Sequence, residues 1–310
     1  MYQGRVIKST GSWYSVETDG KIINCKLRGK FRTEALRHTN PVAVGDWVIC
    51  SIEGENGIIE SVKKRKNFLI RKATNLSRKT HIIAANIDQA LLVVTPRSPQ
   101  TTTVFIDRFL VSAEAYNIPV ILIFNKTDLY SEEDLDVVAY WMATYHEIGY
   151  KVLNTSAAKN QNITKFQDIL KDKVSVISGH SGVGKSSLIN KVDESLRLKT
   201  AEISFAHNTG KHTTSYAQML KLSFGGYIVD TPGIRAFGLI DLNLNEIWHY
   251  FPEMFEIGKN CQYYNCTHVH EPGCKVIEAV ETGEIALSRY ESYLNIIEAD
   301  DNKFRKDKYV

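Results

Sequence analysis

The chain has 310 residues, 43% apolar and 24% charged, with 19 glycines and 7 prolines, a balance that excludes a disordered or low-complexity chain and leaves room for two or three globular domains. No apolar run approaches the roughly 18 residues needed to cross a bilayer, and the first residues, Met-Tyr-Gln-Gly-Arg-Val-Ile, lack the apolar core of a secretory signal, so a cytoplasmic protein without membrane attachment is expected. The net charge is only +3, but residues 1–80 hold 16 Lys/Arg against 7 Asp/Glu, a local excess of +9 that leaves −6 for the other 230.

From 3 to 62 the pattern is of short β-branched and aromatic strands at 4–8, 13–17, 21–25, 46–52 and 58–62, separated by Gly, Asn and Asp. Five such strands in about 60 residues fit a small closed barrel of the OB type, a fold often used on RNA. Cys25 and Cys50 fall among these strands and read as buried apolar thiols. The runs Lys26, Arg28, Lys30, Arg32 and Lys63 to Lys66, then Arg71, Lys72, Arg78 and Lys79, form a polyanion-binding surface if they share a face. Otherwise they are a solvated strand face and a charged linker.

From about 80 the pattern alternates between strand and helix: strand 89–95, helix 104–116, strand 120–124, helix 132–147, strand 151–154, helix 163–170, strand 174–178 and a helix from 185. Continuous apolar strands alternating with amphipathic helices predict a parallel sheet covered on both faces, with ligands at the carboxyl ends of the strands. After 238 the chain becomes mostly helical and aromatic, and it ends in a charged helix from 286. The predicted division is 1–70 for the barrel, 71–240 for the α/β domain and 241–310 for a helical domain.

The chemistry is concentrated in a few motifs. Gly179, His180, Ser181, Gly182, Val183, Gly184, Lys185, Ser186 and Ser187 follow an apolar strand and open a helix, the context of a phosphate loop, whose glycines let backbone N–H groups point at phosphates. Lys185 is expected to bridge the β and γ phosphates and Ser186 to ligate Mg²⁺. Asp230-Thr231-Pro232-Gly233 closes a strand 45 residues after Lys185; Asp230 is expected to hold Mg²⁺ through water and the Gly233 N–H to sense the γ-phosphate. Asn125, Lys126, Thr127 and Asp128 end the strand at 120–124. The Asp128 carboxylate is acceptor-only, so it matches the two guanine donors and repels the adenine edge. Thr155, Ser156 and Ala157 end the next strand and match a loop that packs over the guanine.

Between the phosphate loop and Asp230 lies Asn208-Thr209-Gly210-Lys211-His212-Thr213-Thr214, polar and turn-rich, suited to closing around Mg²⁺ and a γ-phosphate. Either Thr213 or Thr214 completes the metal shell. Ile234 stands where many GTPases keep a water-orienting glutamine, which makes His212 the nearest candidate base or water-orienting group; the alternative is an exposed loop histidine. Cys261, Cys266, His268 and Cys274 supply three thiols and one imidazole, the ligand set of a closed, structural Zn²⁺ site, with His270 as a rival to His268 and unmetallated thiols as the plain alternative.

The guanine-reading tetrapeptide at 125–128 precedes the phosphate loop at 179–186, the reverse of the ordinary order. With NKTD, TSA, GHSGVGKS, GKHTT, DTPG and the C-x4-C-x-H-x5-C cluster in this order behind an OB-like N-terminus, the chain resembles the RsgA (YjeQ/YloQ) family of circularly permuted bacterial GTPases over nearly its whole length. The resemblance implies GTP hydrolysis to GDP stimulated by the 30S subunit late in its maturation, contacts to 16S rRNA, and zinc in the C-terminal domain. It also implies a part in hydrolysis for His212, although Lys211 replaces the family's arginine and loses its bidentate geometry. A protein monomeric when free is expected. The competing functions are an RNA-binding assembly module with a merely structural nucleotide site and an ATP-using enzyme, which GTP turnover and base preference respectively separate.

Overall fold

A computed structural model of the chain describes residues 1–29, 40–54, 56–72, 80–196, 198, 217–230 and 243–306. Strands β1 (Tyr2–Ser9), β2 (Tyr14–Thr18), β3 (Lys21–Leu27), β4 (Trp47–Glu53) and β5 (Asn56–Val62) follow the predicted segments closely. Pairing runs β1-β2-β3-β5-β4, and β4 returns to the first half of β1, so the sheet closes on itself. Period-2 alternation turns Val6, Tyr14, Val16, Cys25, Val48, Cys50 and Ile59 inward. Both cysteines are fully buried, as expected.

Part of the basic excess belongs to the fold. Arg65 makes a bidentate bond to the buried Asp46, with both contacts at 2.7 Å, and donates to the Pro41 carbonyl. Arg28 pairs with Glu60, and the Lys26 ammonium sits 4.3 Å above the Trp13 ring.

An antiparallel ladder of β6 (Phe68–Lys72) and β7 (Thr80–Ala85) follows, a pairing that the sequence pattern does not announce because Arg and Lys make up two of the five residues of β6. It is seated against the barrel by Gly45, whose backbone at φ +89 lies so close to Ala85 that a Cβ would come within 2.0 Å of the Ala85 carbonyl oxygen.

The α/β unit is built from β8 (Gln89–Val94), β9 (Val120–Phe124), β10 (Lys151–Asn154), β11 (Val174–Ser178), β12 (Gln218–Lys221) and β13 (Tyr227–Asp230). The order is β10-β9-β8-β11-β13-β12, parallel except for the last strand. Every residue of β8, β9 and β11 is buried, because helices cover both faces. Ala90, Leu92 and Val94 of β8 pack with α1 (Thr103–Ala115) and α2 (Glu132–Ile148), whereas Leu91 and Val93 pack with α3 (Ile163–Leu170) and α4 (Lys185–Val192). A Ser131–Asp134 capping box starts α2 and Gly149 in the left-handed region ends it.

β12 also pairs with β1, Lys8 opposite Gln218, so barrel and α/β sheet form one continuous hydrogen-bonded sheet among the described residues. The C-terminal unit comprises a 3₁₀ turn (Leu244–Tyr250), α5 (Pro252–Gly258), α6 (Lys275–Glu281) and α7 (Leu287–Lys306) around Ile247, Phe251, Met254, Val276 and Tyr293. Its α7 packs on α1, where the buried Arg289 donates to Asp107 at 2.6 Å and to Glu253 at 2.7 Å.

Candidate nucleotide site and metal centre

The central strand β11 delivers the chain to Gly179, where φ is +137 and a Cβ would sit 2.1 Å from the Val93 carbonyl oxygen, so only glycine can begin the curl. Gly182 and Gly184 are also left-handed, at φ +86 and +99. Val183 is buried in the helix-covered core and anchors the loop, while Ser181 and Gly182 stay exposed. Lys185 opens α4 and folds back, donating to the carbonyls of Gly179 at 2.8 Å and His180 at 2.7 Å, so its ammonium lies inside the curl. Ser186 is buried in the first turn of α4, with Ser187 beside it half-buried. The His180 ring stacks on Phe105 of α1 at 4.0 Å, and burial together with the Lys185 charge lowers its pKa.

The guanine-reading tetrapeptide lies against this loop. The buried Asn125 donates from Nδ2 to the Val183 carbonyl at 2.8 Å and accepts from the Thr155 hydroxyl at 3.0 Å. Lys126, left-handed at φ +68, donates to the Ser98 carbonyl at 2.7 Å. Thr127 donates to Gln161, and the Ser156 hydroxyl donates to Asp128. Ala157 packs in the core beneath. The permuted segments 125–128, 155–157 and 179–187 thus converge at the carboxyl ends of β9, β10 and β11, where ligands to parallel sheets bind.

Asp230 ends β13, the hydrogen-bonded neighbour of β11. Its side chain, and His212, Thr213, Thr214 and Gly233 altogether, lie outside the described residues. Phe105 and Gln161 were not singled out from sequence, since a helix phenylalanine and a loop glutamine carry no motif.

In the C-terminal unit the Sγ atoms of Cys261, Cys266 and Cys274 and a ring nitrogen of His268 all lie within 4.8 Å of one another. Tetrahedral zinc with bonds of about 2.3 Å to sulfur places two thiolates about 3.8 Å apart. Cys261 and Cys274 are 3.9 Å apart, and His268 Nδ1 is 3.3 Å from Cys274 and 3.6 Å from Cys261. His270, by contrast, is exposed. Burial pushes the Cys266 thiol up to about 12 and lowers the His268 pKa; the neutral imidazole suits a metal, and a bound cation would offset the charge of the thiolates.

The surroundings shape this cluster. His268 is left-handed at φ +58, and its ring meets Trp248 edge-on at 4.5 Å over Gly258, where any Cβ would crowd both rings. Glu271 accepts from the Thr267 hydroxyl and from the N–H groups of Thr267, Val269 and His270. Burial works against the Glu271 charge, but the Thr267 hydrogen bonds and the backbone donors overcome it and hold the carboxyl far below its usual range. Tyr290 and Tyr293 donate to the carbonyls of His268 and Thr267. These supports escaped sequence reading, which stopped at the four ligand-type residues.

The RsgA GTPase family profile matches residues 62–240, and the RsgA N-terminal domain profile matches residues 3–59. The chain is 50% identical over 312 residues to the small ribosomal subunit biogenesis GTPase RsgA of Christiangramia forsetii, covering 99% of each chain. It is 50% identical over 306 residues to RsgA 2 of Bacteroides thetaiotaomicron, covering 98% of this chain and 99% of that one. Among solved structures, YjeQ from Thermotoga maritima superposes with a TM-score of 0.79 at 40% identity, covering 96% of this chain and 98% of that chain. The circularly permuted GTPase YloQ superposes at 0.77 with 30% identity, covering 98% and 96%. With the guanine loop preceding the phosphate loop in sequence and meeting it in space, the chain belongs to the RsgA family of circularly permuted GTPases.

Proposed function

We propose that this chain hydrolyses GTP to GDP in biogenesis of the small ribosomal subunit, binding the 30S particle in its GTP state and leaving after hydrolysis. The observation that carries the reading is the bond from Asn125 to Val183, which joins the base-reading and phosphate-binding loops into one site. Asp128, oriented by Ser156, pairs with the guanine edge; Lys126, Thr127, Thr155, Ser156 and Ala157 frame the base. Gly179, His180, Ser181, Gly182, Val183 and Gly184 wrap the phosphates with backbone N–H groups. Lys185 exchanges its carbonyl partners for phosphate oxygens.

The buried Ser186 at the head of α4 and Asp230 at the end of the adjacent strand fit a hard cation such as Mg²⁺, completed by Thr213 or Thr214. When bound there, Mg²⁺ would neutralise charge on the phosphates. His212 orients the attacking water and Gly233 reads the γ-phosphate. Cys261, Cys266, His268 and Cys274 hold one Zn²⁺, with no position left for substrate, which makes it structural.

The division at 1–70, 71–240 and 241–310 follows from these roles: a barrel that grips 16S rRNA, a GTPase domain, and a zinc domain that docks a second ribosomal surface. The protein acts in the cytoplasm and is monomeric when free. The deciding experiment is the GTPase rate of the purified chain against 30S concentration. A saturable rise is expected, and nucleotide-independent 30S binding without turnover would establish an RNA-binding module instead.

A further inference from the structure

The barrel and the GTPase sheet meet through two cross-strand pairs set face to face. Arg5 of β1 stands opposite Glu17 of β2, and Lys221 of β12 stands opposite Tyr227 of β13. The Glu17 carboxylate accepts from Lys221 at 2.6 Å and from the Tyr227 hydroxyl. The Arg5 guanidinium lies 4.5 Å above the Trp47 ring of the barrel and 5.6 Å from the Tyr227 ring, so it bridges both units. Around this square the backbones also join, with Lys8 paired to Gln218 and the Ser9 N–H donating to the Ala217 carbonyl at 3.3 Å.

The strand gripped in this way is central to the nucleotide site. Tyr227 pairs with Val174 at the start of β11, which leads into the phosphate loop, and three residues beyond Tyr227 the same strand ends at Asp230. A shift of the barrel therefore bears directly on β13, and through it on the relation between Asp230 and the phosphate loop. The pairing of β13 with β11 and β12 gives a continuous hydrogen-bonded connection from Tyr227 to Asp230 along which a displacement can be carried.

We infer that Glu17 and Arg5 are positioning residues through which the barrel sets the alignment of β13, so that a ribosome holding the barrel raises the rate of hydrolysis. This rests on the function proposed above. Both act through Tyr227, which Glu17 holds by its hydroxyl and Arg5 by its ring.

The test compares wild type, Glu17→Ala, Glu17→Gln, Tyr227→Phe and the double variant Glu17→Ala/Tyr227→Phe, each as full-length zinc-loaded protein. GTP affinity, basal kcat, kcat at saturating 30S subunits and the half-saturating subunit concentration are measured. GTP affinity, basal kcat and the half-saturating concentration should stay near wild type, while the stimulated kcat of Glu17→Ala falls about tenfold, the scale of a typical coupling energy. Glu17→Gln keeps an acceptor for the Tyr227 hydroxyl and should recover part of the stimulation. The double variant should be no worse than the more damaged single one, since both remove one interaction. An unchanged stimulated kcat would overturn the inference, as would equal losses in basal and stimulated rates, which mark a merely structural contact. Should Glu17→Ala fail to fold, Glu17→Gln and Tyr227→Phe decide by the same split. A wild type that neither binds nor hydrolyses GTP would instead sink the functional reading itself, a distinguishable result.

Discussion

Asn125 donates a 2.8 Å hydrogen bond to the carbonyl of Val183, 58 positions later in the chain, and is itself fully enclosed. The bond ties the end of β9 to the loop after β11 across the intervening strand β8. Asn125→Ala leaves the Val183 carbonyl and the Thr155 hydroxyl without this partner, at about 1–3 kcal/mol for buried polar groups left unmade. GTP and GDP affinity should fall together by roughly 10- to 100-fold, because the contact shapes the loop and not the γ-phosphate. Titration with a fluorescent analogue of each nucleotide measures it, and a loss confined to GTP would contradict the assignment.

Gly184 meets the same side-chain amide: a Cβ there would lie 2.3 Å from Asn125 Nδ2, and its φ of +99 is foreign to other residues. Gly184→Ala should therefore abolish measurable nucleotide binding. In an Asn125→Ala background the clash disappears and only the backbone strain remains, about 1–2 kcal/mol. The second substitution should then cost less than it does alone, and equilibrium binding of the double variant checks the sign of this coupling.

Asp128 takes a hydrogen bond from Ser156, which fixes one carboxylate oxygen beside the base loop. Asp128→Asn exchanges an acceptor for a donor. It should weaken GTP by about 2–3 kcal/mol and admit xanthosine nucleotides, whose edge presents the complementary acceptor. Competition between GTP and XTP reads the outcome, and an unchanged preference would remove Asp128 from the site.

Much of this was legible because the responsible residues obey local rules. The loop 179–186 follows a fully buried strand, and the strands at 89–94, 120–124 and 174–178 are buried on both faces, so predominantly apolar runs mark them. The pairing of the strands at 68–72 and 80–85 was missed because Phe-Leu-Ile-Arg-Lys carries only a short apolar signal among charges. The grip of Glu17 on Tyr227 joins residues 210 apart, and no periodicity announces a contact between separate units. Glu271 was invisible for a different reason: its partners are mostly backbone N–H groups, which every residue carries.

Arg289 joins the C-terminal unit to α1 by its bonds to Asp107 and Glu253, with the Asp107 side chain also taking the Tyr145 hydroxyl at 2.8 Å. Burial opposes the Arg289 charge, and the Asp107 and Glu253 carboxylates more than offset it. Arg289→Met strands two carboxylates in or near a closed interface, which should destabilise the protein by about 3–5 kcal/mol. Arg289→Met/Asp107→Leu should recover part of that loss, since the pair leaves together. Urea unfolding of the four proteins of this cycle checks both; additive losses would mean that Arg289 and Asp107 do not act as a pair.

The metal cluster gives the last test. Elemental analysis of the purified chain should find one zinc per molecule, and Cys266→Ser should lose it, because replacing a thiolate by a hydroxyl removes the soft ligand that the site was built around. Glu271→Gln is the more discriminating change. It preserves all four ligand-type residues but removes the anionic acceptor that gathers the N–H groups of Thr267, Val269 and His270 around His268. Loss of such a support costs roughly 10- to 100-fold in metal affinity. The variant should therefore carry near-stoichiometric zinc as isolated yet release it to a chromogenic chelator much faster than wild type. Equal release rates would mean that the loop holds its shape without Glu271 and that the four ligands alone set the affinity.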